Sequence, residues 1–282
     1  MAQITQQEKA QIFLSWHRRD EPLVLPNIWD PIGARILAAK SYPAVATASA
    51  AISASMGYAD SEKIKRSTLI NIITRIAASV DIPVTADIES GFGSSIPELQ
   101  ETIRQVVASG VVGINIEDSI TEGGALQHID EQCERIAAVR DTADEQGLHL
   151  VINARIDSFL SDAYKSQEEK IEEAIIRAKA YIAAGADSIY PIGPGDKETV
   201  AVLRSRITGP LNILATPDAE SLPTLRQLGV NRISFGPFIF RSCMQKFADI
   251  ADQLNNMGDY DSFANNMMSG AEMGEFLIHD RE

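Results

Sequence analysis

Asp87 and Glu89 stand two residues apart at the end of an apolar run, in Asp87-Ile88-Glu89-Ser90-Gly91-Phe92-Gly93. If that run is a β-strand, residues two apart leave the same face, so both carboxylates project together. Neighbouring carboxylates repel unless a cation or a proton relieves them. The same parity recurs in Asn115 and Glu117, and again in Asn153, Arg155 and Asp157. Three strand ends thus aim charge at one place, which is the pattern of an enzyme site. Asp87, Glu89 and Glu117 form the candidate metal set, with Glu89 balanced between ligand and loop charge. Oxygen-only donors of this kind suit Mg2+, often held through retained waters. Arg155 is either a structural ion pair with Asp157 or Glu117 or a planar fork for a substrate carboxylate, and the second reading is preferred.

Other residues join this set with less specificity. The small, polar stretch Thr47-Ala48-Ser49-Ala50-Ala51 lets backbone N–H groups approach an anion, so Thr47, Ser49 and Ala50 are candidate substrate contacts. Asp60 follows as an acid behind them. The Gly91-Phe92-Gly93 turn is expected to pass close to a ligand. His128 is balanced between general base and solvated residue, while His17, His149 and His279 fit surfaces and carry no catalytic weight.

Eight apolar runs position these groups: Leu23 to Pro26, Ala44 to Thr47, Pro83 to Asp87, Val112 to Glu117, Leu150 to Arg155, Ser188 to Pro191, Leu211 to Ala215 and Arg232 to Phe235. Helical periodicity lies between them, for example over Ile64 to Val80, Ile96 to Ser109, Ile129 to Gln146 and Gln167 to Ala184. Gly110, Gly147, Gly185 and Gly229 each follow a helix, where left-handed caps are common. Apolar strands alternating with helices predict a parallel sheet covered on its outside, and eight units predict a (β/α)8 TIM barrel of the α/β class. An open doubly wound sheet is the competitor, but no Gly-x-Gly-x-x-Gly follows the first run. No linker interrupts the pattern, so residues 1–282 read as one domain. An extra helix is expected over Gln6 to Arg19, and two more over Phe238 to Asn256 and Phe263 to Phe276.

Composition narrows the partners. Hydrophobic content of 45% is ample for a core, and no apolar stretch is long enough to span a bilayer. A net charge of -14 argues against nucleic acid and anionic membranes as partners. An acidic chain that handles an anionic substrate needs local positive charge, which adds weight to Arg155 and to a metal. The N-terminus lacks a signal-peptide pattern, and the two cysteines, Cys133 and Cys243, read as buried thiols in a reducing compartment, so a cytoplasmic location is expected.

With these residues in place, the chain resembles the isocitrate lyase/phosphoenolpyruvate mutase family over roughly Leu23 to Ala248. The resemblance rests on Asn27-Ile28-Trp29-Asp30-Pro31-Ile32-Gly33-Ala34-Arg35, Ser49 to Asp60, Ala86 to Gly93, Ile116-Glu117-Asp118 and Asn153 to Asp157. It implies a (β/α)8 barrel whose last helix is exchanged with a partner subunit in a dimer or tetramer, here through residues 238–282. It also implies Mg2+ or Mn2+ acting on small 2-oxo or 2-hydroxy carboxylates. In its terms Asp87 is the principal metal aspartate, Glu89 stands where most members have a second aspartate, and Glu117 is the metal-shell glutamate. Asp60 is the acid after the substrate loop, Thr47 to Ala51 is that loop, and Arg155 grips substrate.

The chain departs from the family after Asp118. Lyases of the family carry Lys-Lys/Arg-Cys-Gly-His in the loop over the site, and mutases a lysine and an asparagine. Here the loop reads Ser119-Ile120-Thr121-Glu122-Gly123-Gly124-Ala125-Leu126-Gln127-His128, without cysteine or lysine. Gly123-Gly124 reads as a lid hinge, with Glu122 or His128 as proton carriers on closure. The expected activity is Mg2+-dependent cleavage of a C–C bond in a small carboxylate such as oxaloacetate, an alkylmalate or a methylisocitrate-like acid, through an enolate. Two alternatives stay open: hydrolysis or C–P cleavage on the same scaffold, and a carboxylate-binding protein without turnover.

Overall fold

A computed structural model describes residues 4–120, 125–264 and 267–277. After α1 (Gln6–Trp16), the chain runs β1 (Leu23–Leu25), β2 (Asn27–Ile28), α2 (Pro31–Ala39), β3 (Val45–Thr47), α3 (Ser49–Ser55), α4 (Arg66–Ala78) and β4 (Val84–Asp87). It continues through α5 (Ile96–Ala108), β5 (Gly113–Glu117), α6 (Ile129–Glu145), β6 (Val151–Ile156), α7 (Gln167–Ala183) and β7 (Ser188–Pro191). Last come α8 (Lys197–Arg206), β8 (Asn212–Leu214), α9 (Leu222–Gln227), β9 (Arg232–Ser234), α10 (Phe238–Asn255), α11 (Asp261–Ala264) and α12 (Gly270–Gly274).

All strand pairings are parallel. One run is ordered β2-β3-β4-β5-β6-β7 and another β1-β9-β8, and a parallel bridge between Ile189 and Leu211 joins β7 to the start of β8. β1 and β2 are two halves of one barrel strand, split because Pro26 has no N–H to give to a ladder. The side chain of Asn27 takes over the pairing. Its Nδ2 donates to Thr47 O at 2.8 Å, and its Oδ1 accepts from Phe235 N at 2.7 Å and Gly236 N at 3.0 Å, so one residue clips the broken strand to both neighbours. The ring closes as the eight-position (β/α)8 barrel that the repeat pattern predicts.

The helices between strands wrap the ring on apolar stripes. In α7 the buried residues Ala174, Arg177, Ala178 and Tyr181 recur at helical spacing, and a reciprocal cap opens the helix: Ser166 Oγ accepts from Glu169 N while Glu169 Oε2 accepts from Ser166 N, both at 3.1 Å. The expected caps Gly110, Gly147, Gly185 and Gly229 all have positive φ, between 75 and 111°. At the N-terminal end of the barrel α1 is a plug. Phe13 and His17 are fully buried there, and a Cβ on Gly113 would lie 2.9 Å from Phe13 Cε1, so a glycine is what lets the plug seat.

Four expectations need correction. His17 is buried, not on a surface, because α1 stops at Trp16 and the His17 ring turns edge-on to Phe13 at 4.7 Å. Cys243 is exposed on α10 and Cys133 half-buried. The helix expected over Phe263 to Phe276 is two short pieces, since Ser269 caps a fresh start by accepting from Glu272 N. Ser49 to Ser55 forms a helix that takes in part of the expected Thr47 to Ala51 loop, with Ala51 and Ile52 packed inward. Near the chain's end, Phe276 O accepts from Arg35 Nη1 at 3.4 Å, so the last segment touches α2. No described helix is long and apolar enough to cross a membrane.

Candidate active site

The C-terminal ends of β4, β5 and β6 sit side by side, and their register decides which charges meet. Asp87 is opposite Asn115, Asn115 is opposite Asn153, and Glu117 is opposite Arg155. A cavity of about 150 Å³ opens there, lined on one side by Asp60, Asp87, Asn115 and Arg155 and on the other by Ile192, Leu214 and Pro237. A smaller polar hollow of about 60 Å³ holds Glu89, Glu117, Glu62 and Ser119.

Asp87 is held from behind. Thr47 Oγ1 accepts from Asp87 N at 2.9 Å, and Asp87 Oδ2 accepts from Ser49 Oγ at 2.8 Å and Ser49 N at 3.2 Å. The Thr47 to Ala51 stretch therefore does present a backbone N–H to an anion, but that anion is the protein's own aspartate. Thr47 is fully buried and positions Asp87, while Ser49 and Ala50 line the cavity. Asp60 lines it too and acts electrostatically on Glu89.

Arg155 makes both ion pairs that its sequence neighbours offered. Its Nε and Nη2 grip Asp157 Oδ1 and Oδ2, each at 2.7 Å, and its Nη1 lies 2.6 Å from Glu117 Oε2. Burial alone would lower the guanidinium, but Asp157 and Glu117 outweigh it and hold it above its ordinary value. Burial pushes Glu117 up to about 7, against the pull of Arg155. Ser119 Oγ donates to the other Glu117 oxygen at 2.6 Å.

Glu89 reaches the site by a different route from the one its spacing suggested. β4 ends at Asp87, and Glu89 has φ 54°, so strand alternation no longer applies to it. Its Oε2 accepts from Glu62 N, its Oε1 is buried without a partner, and burial followed by Asp60 raises its carboxyl to about 8. The glycine turn after it packs on a helix. A Cβ on Gly91 would lie 2.5 Å from Leu99 Cδ1, and one on Gly93 would lie 2.7 Å from Leu99 N.

The segment that follows β5 has a built stem. Ser119 pairs with Leu126, Gln127 N donates to Asp118 O at 2.8 Å, and Arg177 Nη1 spans Asp118 Oδ2 at 3.1 Å and Gln127 O at 2.9 Å. Glu122 and the Gly123-Gly124 hinge lie outside the described residues. His128 caps α6 in an exposed position, 3.7 Å from Asp130, and lines neither cavity. Asn27, Tyr190, Ile192, Leu214, Ser234 and Pro237 line the cavity without having been singled out. Parity with Ser188 and Arg232 carried a signal for Tyr190 and Ser234; the others depend on how the ring closes.

Among the described residues, no three His, Cys, Asp or Glu side chains converge closely enough to chelate an ion directly. The donor set nevertheless fits a hydrated divalent cation. Asp60, Asp87 and Glu117 each help raise Glu89, Asp87 helps raise Glu117, all four offer hard oxygens, and Glu89 Oε1 is a buried acceptor without a partner.

Residues 13–255 match the model of the family described as phosphoenolpyruvate phosphomutase. An uncharacterised protein of Mycobacterium tuberculosis strain H37Rv is 30% identical over 226 residues, 79% of this chain and 81% of that protein. The "Probable 2-methylisocitrate lyase 2" of Corynebacterium glutamicum is 28% identical over 274 residues, 91% of this chain and 84% of its own. A crystal structure from Burkholderia cenocepacia J2315, provisionally described as a phosphonomutase, is 36% identical with a TM-score of 0.83, covering 88% of this chain and 99% of that one.

Proposed function

The chain belongs to the phosphoenolpyruvate phosphomutase family, and from that premise we propose that it is a Mg2+-dependent lyase cleaving a C–C bond in a small 2-oxo or 2-hydroxy carboxylate. The observation that carries this reading is the meeting of Asp87, Glu117 and Arg155 at neighbouring strand ends, with Asp87 and Arg155 lining a cavity of about 150 Å³ and Glu117 the smaller polar hollow. The likeness to a 2-methylisocitrate lyase supports C–C cleavage over phosphoryl chemistry.

Asp87, with Asp60, Glu89 and Glu117 around it, would hold the ion, and Mn2+ would serve the same donors. When bound, a divalent ion polarises a substrate oxygen and stabilises negative charge as the C–C bond breaks. The chain's own residues do the rest. Ser49 and Thr47 fix the direction of the Asp87 carboxylate. Arg155 supplies a fixed cation beside the developing enolate, kept in place by Asp157 and therefore needing no reorganisation. Ile192, Leu214 and Pro237 contribute apolar lining to the cavity, which limits water around the reacting carbon.

An activity screen tests this reading. Oxaloacetate, alkylmalates, methylisocitrate and phosphonopyruvate are offered with Mg2+ or EDTA, and pyruvate, oxalate and phosphate are measured. Pyruvate released only with Mg2+ supports the lyase; phosphate from phosphonopyruvate would move the assignment to C–P chemistry, and no turnover with retained oxalate binding to a carboxylate-binding protein. The reading includes an oligomer joined through residues 238–282, supported by the exposed Met244, Phe247 and Leu254 on α10; a monomeric mass in sedimentation would remove that part.

A further inference from the structure

Below Glu117 on the same face of β5, Asn115 lines the cavity floor. Its carboxamide oxygen accepts two hydrogen bonds, from Asn153 Nδ2 at 2.8 Å and from Arg232 Nη2 at 3.2 Å. Which end of an amide faces which neighbour is decided by what those neighbours can give. A guanidinium only donates, so the end of Asn115 nearest Arg232 must be oxygen. Asn153 must then turn its NH2 to the same oxygen. The outcome is fixed at the far end: Asn115 Nδ2 hydrogen-bonds to nothing among the described residues and is left for the cavity.

Arg232 is an unusual occupant of a barrel centre. It is 0% exposed, and its Nε and Nη1 are buried without partners. Burying a cation so poorly paired is costly, and a packed apolar residue of similar volume would commonly be no less stable. Burial lowers it to about 10, with Tyr190 and Asp87 pulling the other way, so its field reaches the groups of the cavity. Packing alone therefore gives no reason for an arginine at this place; orienting Asn115 does.

We propose that Asn115 is a substrate-binding residue, donating from Nδ2 to an oxygen of a small anionic carboxylate, and that Arg232 is its positioning residue, holding the amide in that orientation from inside the barrel. This rests on the cavity being a carboxylate site, as proposed above. Donors then flank the ligand from two strands, Arg155 on β6 and Asn115 on β5, which favours acids with an oxygen next to the carboxylate over simple monocarboxylates.

Oxalate binding by calorimetry in Mg2+ buffer tests both parts, with thermal unfolding to check each variant. Asn115→Ala should weaken oxalate about tenfold, and Asn115→Asp, which keeps the acceptor for Arg232 but puts an anion in place of the donor, about a hundredfold. Arg232→Gln presents either a donor or an acceptor, so it should cost about tenfold in the wild-type background and nothing further in Asn115→Ala. Arg232→Lys, which still donates, should restore most of that loss. Affinity within about twofold of wild type in a folded Asn115→Ala or Asn115→Asp variant would overturn the contact. An equal loss from Arg232→Gln in both backgrounds would overturn the positioning role. If the wild-type protein itself does not bind oxalate, the carboxylate reading falls first and takes this inference with it.

Discussion

At the mouth of the barrel Glu117 and Arg155 are buried together, 2.6 Å apart, whereas at the floor His17 is buried alone against Phe13. Burial disfavours charge at both ends. At the floor it wins: His17 is lowered from 6.5 to about 4 by burial, with Arg232 adding to it, and the ring stays neutral with Nδ1 2.9 Å from Phe13 O. At the mouth the guanidinium is kept charged by two carboxylates. One end is packed so as to exclude charge, and the other uses ion pairs to keep charge beside a cavity.

Breaking the mouth should have the largest effect. Asp87→Ala removes the carboxylate that Ser49 and Thr47 hold, and metal-dependent turnover should fall by about a thousandfold with circular dichroism unchanged. Near wild-type turnover would contradict the charged half of the comparison.

The floor is tested by pH. The folded chain refuses a proton that unfolded His17 accepts below 6.5, so stability is lost as pH falls from 6.5 toward 4, by on the order of 3 kcal/mol in all. His17→Phe should remove that part of the acid sensitivity. Denaturant titrations of both proteins at pH 7 and pH 4.5 measure it, and parallel losses in the two would show that His17 is not the neutral partner described.

Two smaller effects sharpen the contrast between the cavity's walls. Arg155→Lys keeps the charge but loses the fork that grips Asp157 at two points, so KM should rise about tenfold to a hundredfold while kcat changes less. On the apolar wall, Ile192→Val removes a single methylene, and kcat/KM should change by less than about tenfold. A larger effect at Ile192 than at Arg155 would invert the account of which wall recognises substrate.

The barrel was legible because its signals are local: period-two strands, helical stripes and terminal glycines. So was the core of the site. Asp87, Asn115, Glu117 and Arg155 lie within strands, where alternation holds, and register then brings them together. Glu89 lies two residues beyond β4 with φ 54°, so its parity was misleading even though its carboxylate still arrives beside Glu117. The roles of Asn27 and Arg232 were out of reach of a linear reading, because both depend on contacts made only when the first and last strands close the ring. The packing of Gly91 and Gly93 against Leu99 was not legible, because a glycine signals close backbone approach without saying which neighbour comes close.

The acidic mouth is proposed to hold a divalent ion through which an oxo acid is recognised. Calorimetric titration of oxalate, an enolate mimic, into wild type and Asp87→Ala with Mg2+ or with EDTA tests it most directly. Wild type should bind oxalate with Mg2+ and lose that binding in EDTA, and Asp87→Ala should not bind it. Equal oxalate affinity in EDTA, or an Asp87→Ala protein that binds as wild type does, would contradict it.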